Sequence, residues 1–206
     1  VVRNGSIDNP EVNKLSYSIE LQAEVEQLSA GVCFAITDQQ NYYMWQFNVS
    51  DKQHPCLRPH RWLGGNASLL GEIELPKDVN MQAGHPFNIR IEIEDESYAK
   101  TYIDNVLVDE RGGNFAYGRI GFRQAHDDAY GKAEVAMFDD VVIKVKTSSG
   151  SGEVVFEEDF SDSNPFSEGY IVSERLRVEG LMSLDILAWL YDVPDAISSI
   201  PASPAM

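Results

Sequence analysis

Between Phe87 and Glu94 the run FNIRIEIE is apolar at every second position, with Phe87, Ile89, Ile91 and Ile93 on one side and Asn88, Arg90, Glu92 and Glu94 on the other. A two-residue period marks a strand buried on one face, because successive side chains leave an extended backbone in opposite directions. The period recurs in YSIELQAEV, where Tyr17, Ile19, Leu21, Ala23 and Val25 alternate with polar residues. Helical periodicity is almost absent as far as Phe160, and about ten short runs follow one another at regular spacing. They are punctuated by turn chemistry: Asp38 to Asn41, then Gly64, Gly65 and Asn66, then Asp104 and Asn105 inside TYIDNVLVDE. A strand is expected over Leu69 to Leu75, and a long one over Ala133 to Val145 with a bulge at Asp139 and Asp140. The pattern predicts an all-β fold, an antiparallel β-sandwich or jelly roll.

Organisation changes late in the chain. TSSGSG, at Thr147 to Gly152, is a flexible break, after which Val154 to Phe160 returns to the sandwich as a strand. We therefore expect residues 1–161 to form the sandwich and 162–206 a C-terminal extension. Within the extension, LMSLDILAWLY predicts a short amphipathic helix over Leu181 to Tyr191, with Leu184, Leu187, Ala188 and Tyr191 on one face for this sandwich or a protein partner. The final SSIPASPAM reads as a loose tail.

The chain has 206 residues, and its 16 basic against 33 acidic side chains give a formal charge of −17. Phosphate would be repelled, which argues against nucleic acid and anionic lipid as partners. No apolar run is long enough for a membrane span, and a Val at position 1 suits a processed chain or an excised domain. An extracellular or cell-surface setting fits these features. Cys33 sits in the apolar GVCFAI and Cys56 in HPCLRP, a spacing that suggests neither zinc nor a redox pair. A disulfide requires the fold to bring them together; a buried free Cys33 with an unrelated Cys56 is the simpler expectation. The histidines at 54, 60, 85 and 126 have no metal-ligand spacing, and no nucleophile elbow or phosphate loop is present.

Function is best sought in NYYMWQFN, Asn41 to Asn48, and LRPHRW, Leu57 to Trp62. In the first, Tyr43, Trp45, Phe47 and Val49 share a core-like face opposite Tyr42, Met44, Gln46 and Asn48; in the second, Arg58, His60 and Trp62 share a side. If the strands are neighbours, Gln46, Arg58, His60 and Trp62 converge. An amide, a guanidinium and an imidazole hold hydroxyls, while Trp62 or Tyr42 offers a ring to the apolar face of a sugar. Asp38, Gln40 and Asn41 precede this surface as an oxygen-rich turn, a place where calcium could bind and in turn ligate vicinal hydroxyls; simple turn chemistry explains the same residues. Asp139 and Asp140 form a second oxygen-rich spot, read as structural, and Arg123 is an exposed strand arginine within reach of the groove. Glu92 and Glu94 stand about 6.5 to 7 Å apart along a strand, a separation compatible with glycoside hydrolysis. Their place opposite an isoleucine face beside Arg90 favours a solvated outer strand instead.

DQQNYYMWQFN, LRPH, FNIRIEIE, TYIDNVLVDE, GRIGFR, MFDDVVI and VVFEEDFS occur in this order between Tyr17 and Ser161. Together they resemble the concanavalin A-like sandwich module of bacterial α-L-rhamnosidases, a calcium-dependent, L-rhamnose-binding carbohydrate-binding module. The resemblance implies a jelly roll that is not itself an enzyme and binds terminal sugar with the help of one calcium held by an acidic–Asn pair. Asn41 matches the Asn of that pair, although Gln40 precedes it and the nearest acid is Asp38. Gln46, Arg58 and His60 match the YMWQ and LRPH elements and are implied groove residues. A structural or adhesive subunit, docking through LDILAWLY, is the alternative from another class.

Overall fold

The computed structural model describes residues 15–49, 54–116, 118–123, 126–127, 132–146, 152–161, 170–172, 175–177 and 181–184. Every regular element among them is a strand. In chain order these are β1 (Tyr17–Gln27), β2 (Ser29–Asp38), β3 (Asn41–Asn48), β4 (Cys56–Leu63), β5 (Asn66–Leu69), β6 (Ile73–Glu74), β7 (Pro86–Glu94), β8 (Tyr98–Ile103) and β9 (Val106–Gly112). They continue as β10 (Arg119–Arg123), β11 (His126–Asp127), β12 (Lys132–Ala133), β13 (Val135–Lys146), β14 (Gly152–Glu158), β15 (Tyr170–Val172), β16 (Arg175–Arg177) and β17 (Leu181–Leu184).

Two antiparallel sheets face each other. One has the order β15-β16-β13-β1-β7-β8-β9 with β14 also on β13; the other runs β17-β10-β2-β3-β4-β5 with β6 also on β4. The fold is thus the antiparallel sandwich that the alternation requires. The inner faces supply Ile19, Leu21, Phe87, Ile89, Ile91 and Phe138 from the first sheet, and Phe34, Trp45, Phe47 and Phe122 from the second, all at most 3% exposed. Phe122 stacks on Phe138 with ring centres 4.1 Å apart, and Phe34 meets Trp45 edge-on at 4.8 Å. At the centre Trp45 Nε1 donates to Thr101 Oγ1 of β8 at 2.7 Å, a buried hydrogen bond between the sheets.

Turn chemistry places the strands as expected. Asp104 and Asn105 both adopt positive φ, 47° and 66°, joining β8 to β9 by the backbone that a right-twisted hairpin favours. The expected bulge in β13 is present: the register to β1 jumps between Glu20↔Val142 and Gln22↔Asp139, and Asp140 has φ 51°. Two expectations are corrected. The strand over Leu69 to Leu75 is split, because β5 ends at Leu69, Gly71 turns to φ 150° and β6 resumes only at Ile73. Leu70 N–H still donates to Pro59 O at 2.8 Å while Ile73 pairs with Leu57, so one extra residue is accommodated at the glycine. The helix over Leu181 to Tyr191 is also overturned at its start: Leu181–Leu184 extends as β17 along the edge of β10, where Ile120 pairs with Leu184 and Arg123 with Leu181. A free strand edge offers these residues backbone partners that outweigh helical patterning. The rest of that segment, with Leu187, Ala188 and Tyr191, lies outside the described residues.

Candidate functional site

β3 and β4 are neighbours, and their register sets Tyr42 opposite Trp62, Met44 opposite His60 and Gln46 opposite Arg58. Directly opposed residues point to the same side of a sheet, so Gln46, Arg58, His60 and Trp62 share the outer face, with the Arg58 guanidinium turned toward Glu72. The register of β2 and β10 extends it: Gln46 pairs with Gly31, Gly31 with Arg123, Met44 with Cys33 and Cys33 with Gly121. Arg123 thereby joins the set. Gly31 is required, since a Cβ there would stand 2.6 Å from Arg123 O and 2.9 Å from Met44 Sδ.

The face has an apolar floor that the alternation did not reveal. Cys33, Ile36, Tyr42 and Met44 form a second buried cluster with Trp62 packed against it. Both sides of β3 are therefore buried over much of its length. Tyr42, a candidate stacking platform, is only 5% exposed and lies under Trp62, the rings nearly parallel at 7° with centres 4.8 Å apart. Trp62 is the ring left at the surface. The phenol of Tyr42 is pushed up to about 12, first by burial, and stays neutral.

Gln46 is held from within. Its Nε2 donates to Ser29 Oγ at 2.9 Å and to Glu134 Oε1 at 2.8 Å, and its Oε1 lies 3.4 Å from His60 Nε2. An amide oxygen only accepts, so a bond here makes Nε2 the protonated nitrogen and leaves His60 Nδ1 as an acceptor. Burial, with Arg58 and Arg123 adding to it, lowers His60 to about 4, and the imidazole is neutral at ordinary pH. Arg58 reaches away toward Glu72, with Nε and an Nη at 2.8 and 2.7 Å from Oε2. Arg123 carries its guanidinium 5.1 Å above the Trp62 ring and sets Nη1 3.9 Å from Met44 Sδ.

Asp38, Gln40 and Asn41 close the β2–β3 turn. Asp38 Oδ1 accepts Gln40 N–H at 2.7 Å, both carboxylate oxygens accept from Asn41 Nδ2 at 2.9 Å, and Asn41 Oδ1 accepts Gly64 N–H at 2.9 Å. The bond from Asn41 leads the effects that hold the Asp38 carboxyl below its usual range. These groups satisfy one another. Calcium needs six to eight oxygens, whereas here the amide turns its N–H donors toward the one carboxylate, an arrangement that does not fit the ion. Among the described residues no group of three or more His, Cys, Asp or Glu side chains is poised to hold a metal.

Elsewhere, Glu92 pairs with Arg90, and Glu94 with Lys100 at 2.9 Å, on the outer face of the other sheet. Asp140 N–H donates to Asp139 Oδ1 at 2.9 Å within the bulge. Cys33 and Cys56 are both buried free thiols, and burial raises both. A cleft of about 400 Å³ opens at the far end of β4, lined by His54, Glu74, Lys77, Asn80 and Met81 among others, with no Trp, Tyr or Phe in its wall.

No protein-family model matches the chain, and no curated protein matches it. Among solved structures it is similar to the carbohydrate-binding module CBM66 from Bacillus subtilis, at 20% identity and TM-score 0.48, over 63% of this chain and 74% of that one. It is also similar to CG-16, a homodimeric agglutinin from chicken liver, at 11% identity and TM-score 0.37, over 70% of this chain and 91% of that one. SCP-B, a peptidase of the eqolisin family, matches at 10% identity and TM-score 0.37, over 82% of this chain and 98% of that one. These are likenesses of fold, and none assigns an activity.

Proposed function

We propose that the protein is a non-catalytic carbohydrate-binding module that takes sugar on the outer face of the sheet built around β3 and β4. The observation that carries the reading is the alignment there of His60, Trp62 and Arg123 over a buried floor, with Gln46 bracing the imidazole. Together they offer a ring edge, a neutral acceptor and a charged planar donor within a few ångströms. That combination suits a pyranose, which has one apolar face and a rim of hydroxyls. Terminal rhamnose, suggested by the LRPH and YMWQ elements, is one member of the panel to be tried. Calcium plays no part in this reading, since the Asp38 turn satisfies itself internally.

Isothermal titration with methyl glycosides of rhamnose, galactose, arabinose and glucose, each with and without EDTA, tests it. We expect heat with at least one sugar, unchanged by EDTA and lost in Trp62→Ala. Silence across the panel at millimolar sugar overturns the reading, and loss of binding in EDTA restores the calcium-dependent version.

A second reading, an assembly subunit, is favoured by the β4–β5 edge, where Leu63, Leu69 and Leu70 are 60%, 55% and 39% exposed. Light scattering over a concentration series tests this second reading: an oligomer that dissociates in Leu63→Asp supports it, and a monomer at all concentrations removes it.

A further inference from the structure

Carboxylates outnumber cations about twofold in this chain, 33 to 16, and several strand cations are paired with one. Arg58 pairs with Glu72 at 2.7 Å, Lys100 with Glu94 at 2.9 Å, Arg111 with Asp109 at 2.6 Å and Lys144 with Glu20 at 2.7 Å; Arg90 pairs with Glu92. Arg123 is half-buried and makes no ion pair among the described residues. Its guanidinium lies over Trp62 and beside Met44 instead. Glu134 Oε1, a carboxylate oxygen near this face, accepts from Ser29 Oγ at 2.7 Å and from Gln46 Nε2 at 2.8 Å. A guanidinium partly withdrawn from water without a counter-charge is costly, and an aromatic face offsets only part of that cost.

We infer that the face recognises an acidic sugar, which supplies the counter-charge that Arg123 lacks among the described residues: a hexuronate whose carboxylate engages Arg123 while its ring lies against Trp62 and a hydroxyl donates to His60 Nδ1. This rests on the carbohydrate reading above and narrows it. The carboxylate is preferred for two reasons. Its planar pair of oxygens matches the guanidinium fork in two parallel hydrogen bonds. A single negative charge also meets less repulsion than a dianionic phosphate from a protein of charge −17.

The test is titration calorimetry at fixed ionic strength with methyl galacturonate and methyl glucuronate against methyl galactoside and methyl glucoside. Sodium acetate and sodium sulfate serve as ion controls, and the proteins are the wild type, Arg123→Gln and Arg123→Lys. We expect at least one uronate to bind about tenfold or more tightly than its neutral counterpart, the margin of a charge-assisted hydrogen-bond pair. The preference disappears in Arg123→Gln, and Arg123→Lys recovers only part of it. Equal binding of acidic and neutral glycosides overturns the inference and leaves the carbohydrate reading standing. Acetate or sulfate binding as tightly as the uronate also overturns it, by showing a simple anion site. Silence from all four glycosides overturns the inference, while the carbohydrate reading falls only if rhamnose and arabinose are silent as well. Near-UV circular dichroism checks the fold; should Arg123→Gln fail it, an undiminished preference in a folded Arg123→Lys overturns the inference.

Discussion

His60 shows what one side chain on this face does to the whole protein's response to acid. Its imidazole titrates at about 4 in the folded chain against an ordinary value of 6.5, chiefly because it is withdrawn from water and secondarily because Arg58 and Arg123 face it. Between those two values the unfolded chain holds more of the proton than the folded one. The stability associated with a neutral His60 is therefore complete above pH 6.5 and is lost as pH falls toward 4. The shift corresponds to roughly 1 to 2 kcal/mol once solvent screening of a partly exposed ring is allowed for. Urea unfolding across that window measures it: His60→Gln lacks this part of the acid loss, and a slope equal to that of the wild type disproves the assignment. The residues of the candidate face were legible as types and as a shared side, because alternation fixes sidedness. That Gln46 is bonded internally, and Tyr42 buried beneath Trp62, depends on Ser29, Glu134 and the register of four strands, none of which a local pattern encodes.

At the scale of the strands, β3 is where the sheets are bonded as well as packed. Trp45 Nε1 donates to Thr101 Oγ1 at 2.7 Å with both residues fully buried, and Arg111 lies 5.5 Å over the same indole. Thr101→Val keeps the shape and β-branching of the strand residue but leaves the indole N–H with no acceptor. We expect a loss of about 1 to 3 kcal/mol in guanidinium unfolding, while Thr101→Ser loses less because it keeps the hydroxyl. Equal stabilities for the Val and Ser variants would show that packing, and not the hydrogen bond, couples the sheets here. Strand existence and facing were readable from FNIRIEIE and YSIELQAEV, since each buries one face. GVCFAI and NYYMWQFN were harder. Their second faces are buried too, Cys33 against Met44 in one small cluster, so an outer apolar floor hid inside what looked like a polar side.

For the molecule as a whole, the open question of design is how a sandwich with long outer strands closes its edges, since unpaired N–H and C=O rows invite association between copies. Both sheets draw on chain beyond residue 161: β15 and β16 extend the first sheet from β13, and β17 covers β10 in the second. The four pairs from Ile120↔Leu184 to Arg123↔Leu181 seal the strand that also bears Arg123, so the tail and the candidate face are mechanically linked through β10. Removing everything after Gly180 strips that cover and leaves the core-facing Ile120 and Phe122 on an open edge strand. A chain truncated there should unfold several degrees earlier in a thermal scan, as a loss of about 1 to 2 kcal/mol would cause. It should also self-associate in size-exclusion chromatography, despite the −17 charge calculated for the full sequence. An assembly subunit whose tail docks on a neighbour predicts the reverse, a full-length oligomer that falls apart on truncation. A truncated protein that stays monomeric at unchanged stability would mean that β17 is dispensable, and the edge of β10 must then be protected by its own charge, with Arg119 and Arg123 as its gatekeepers.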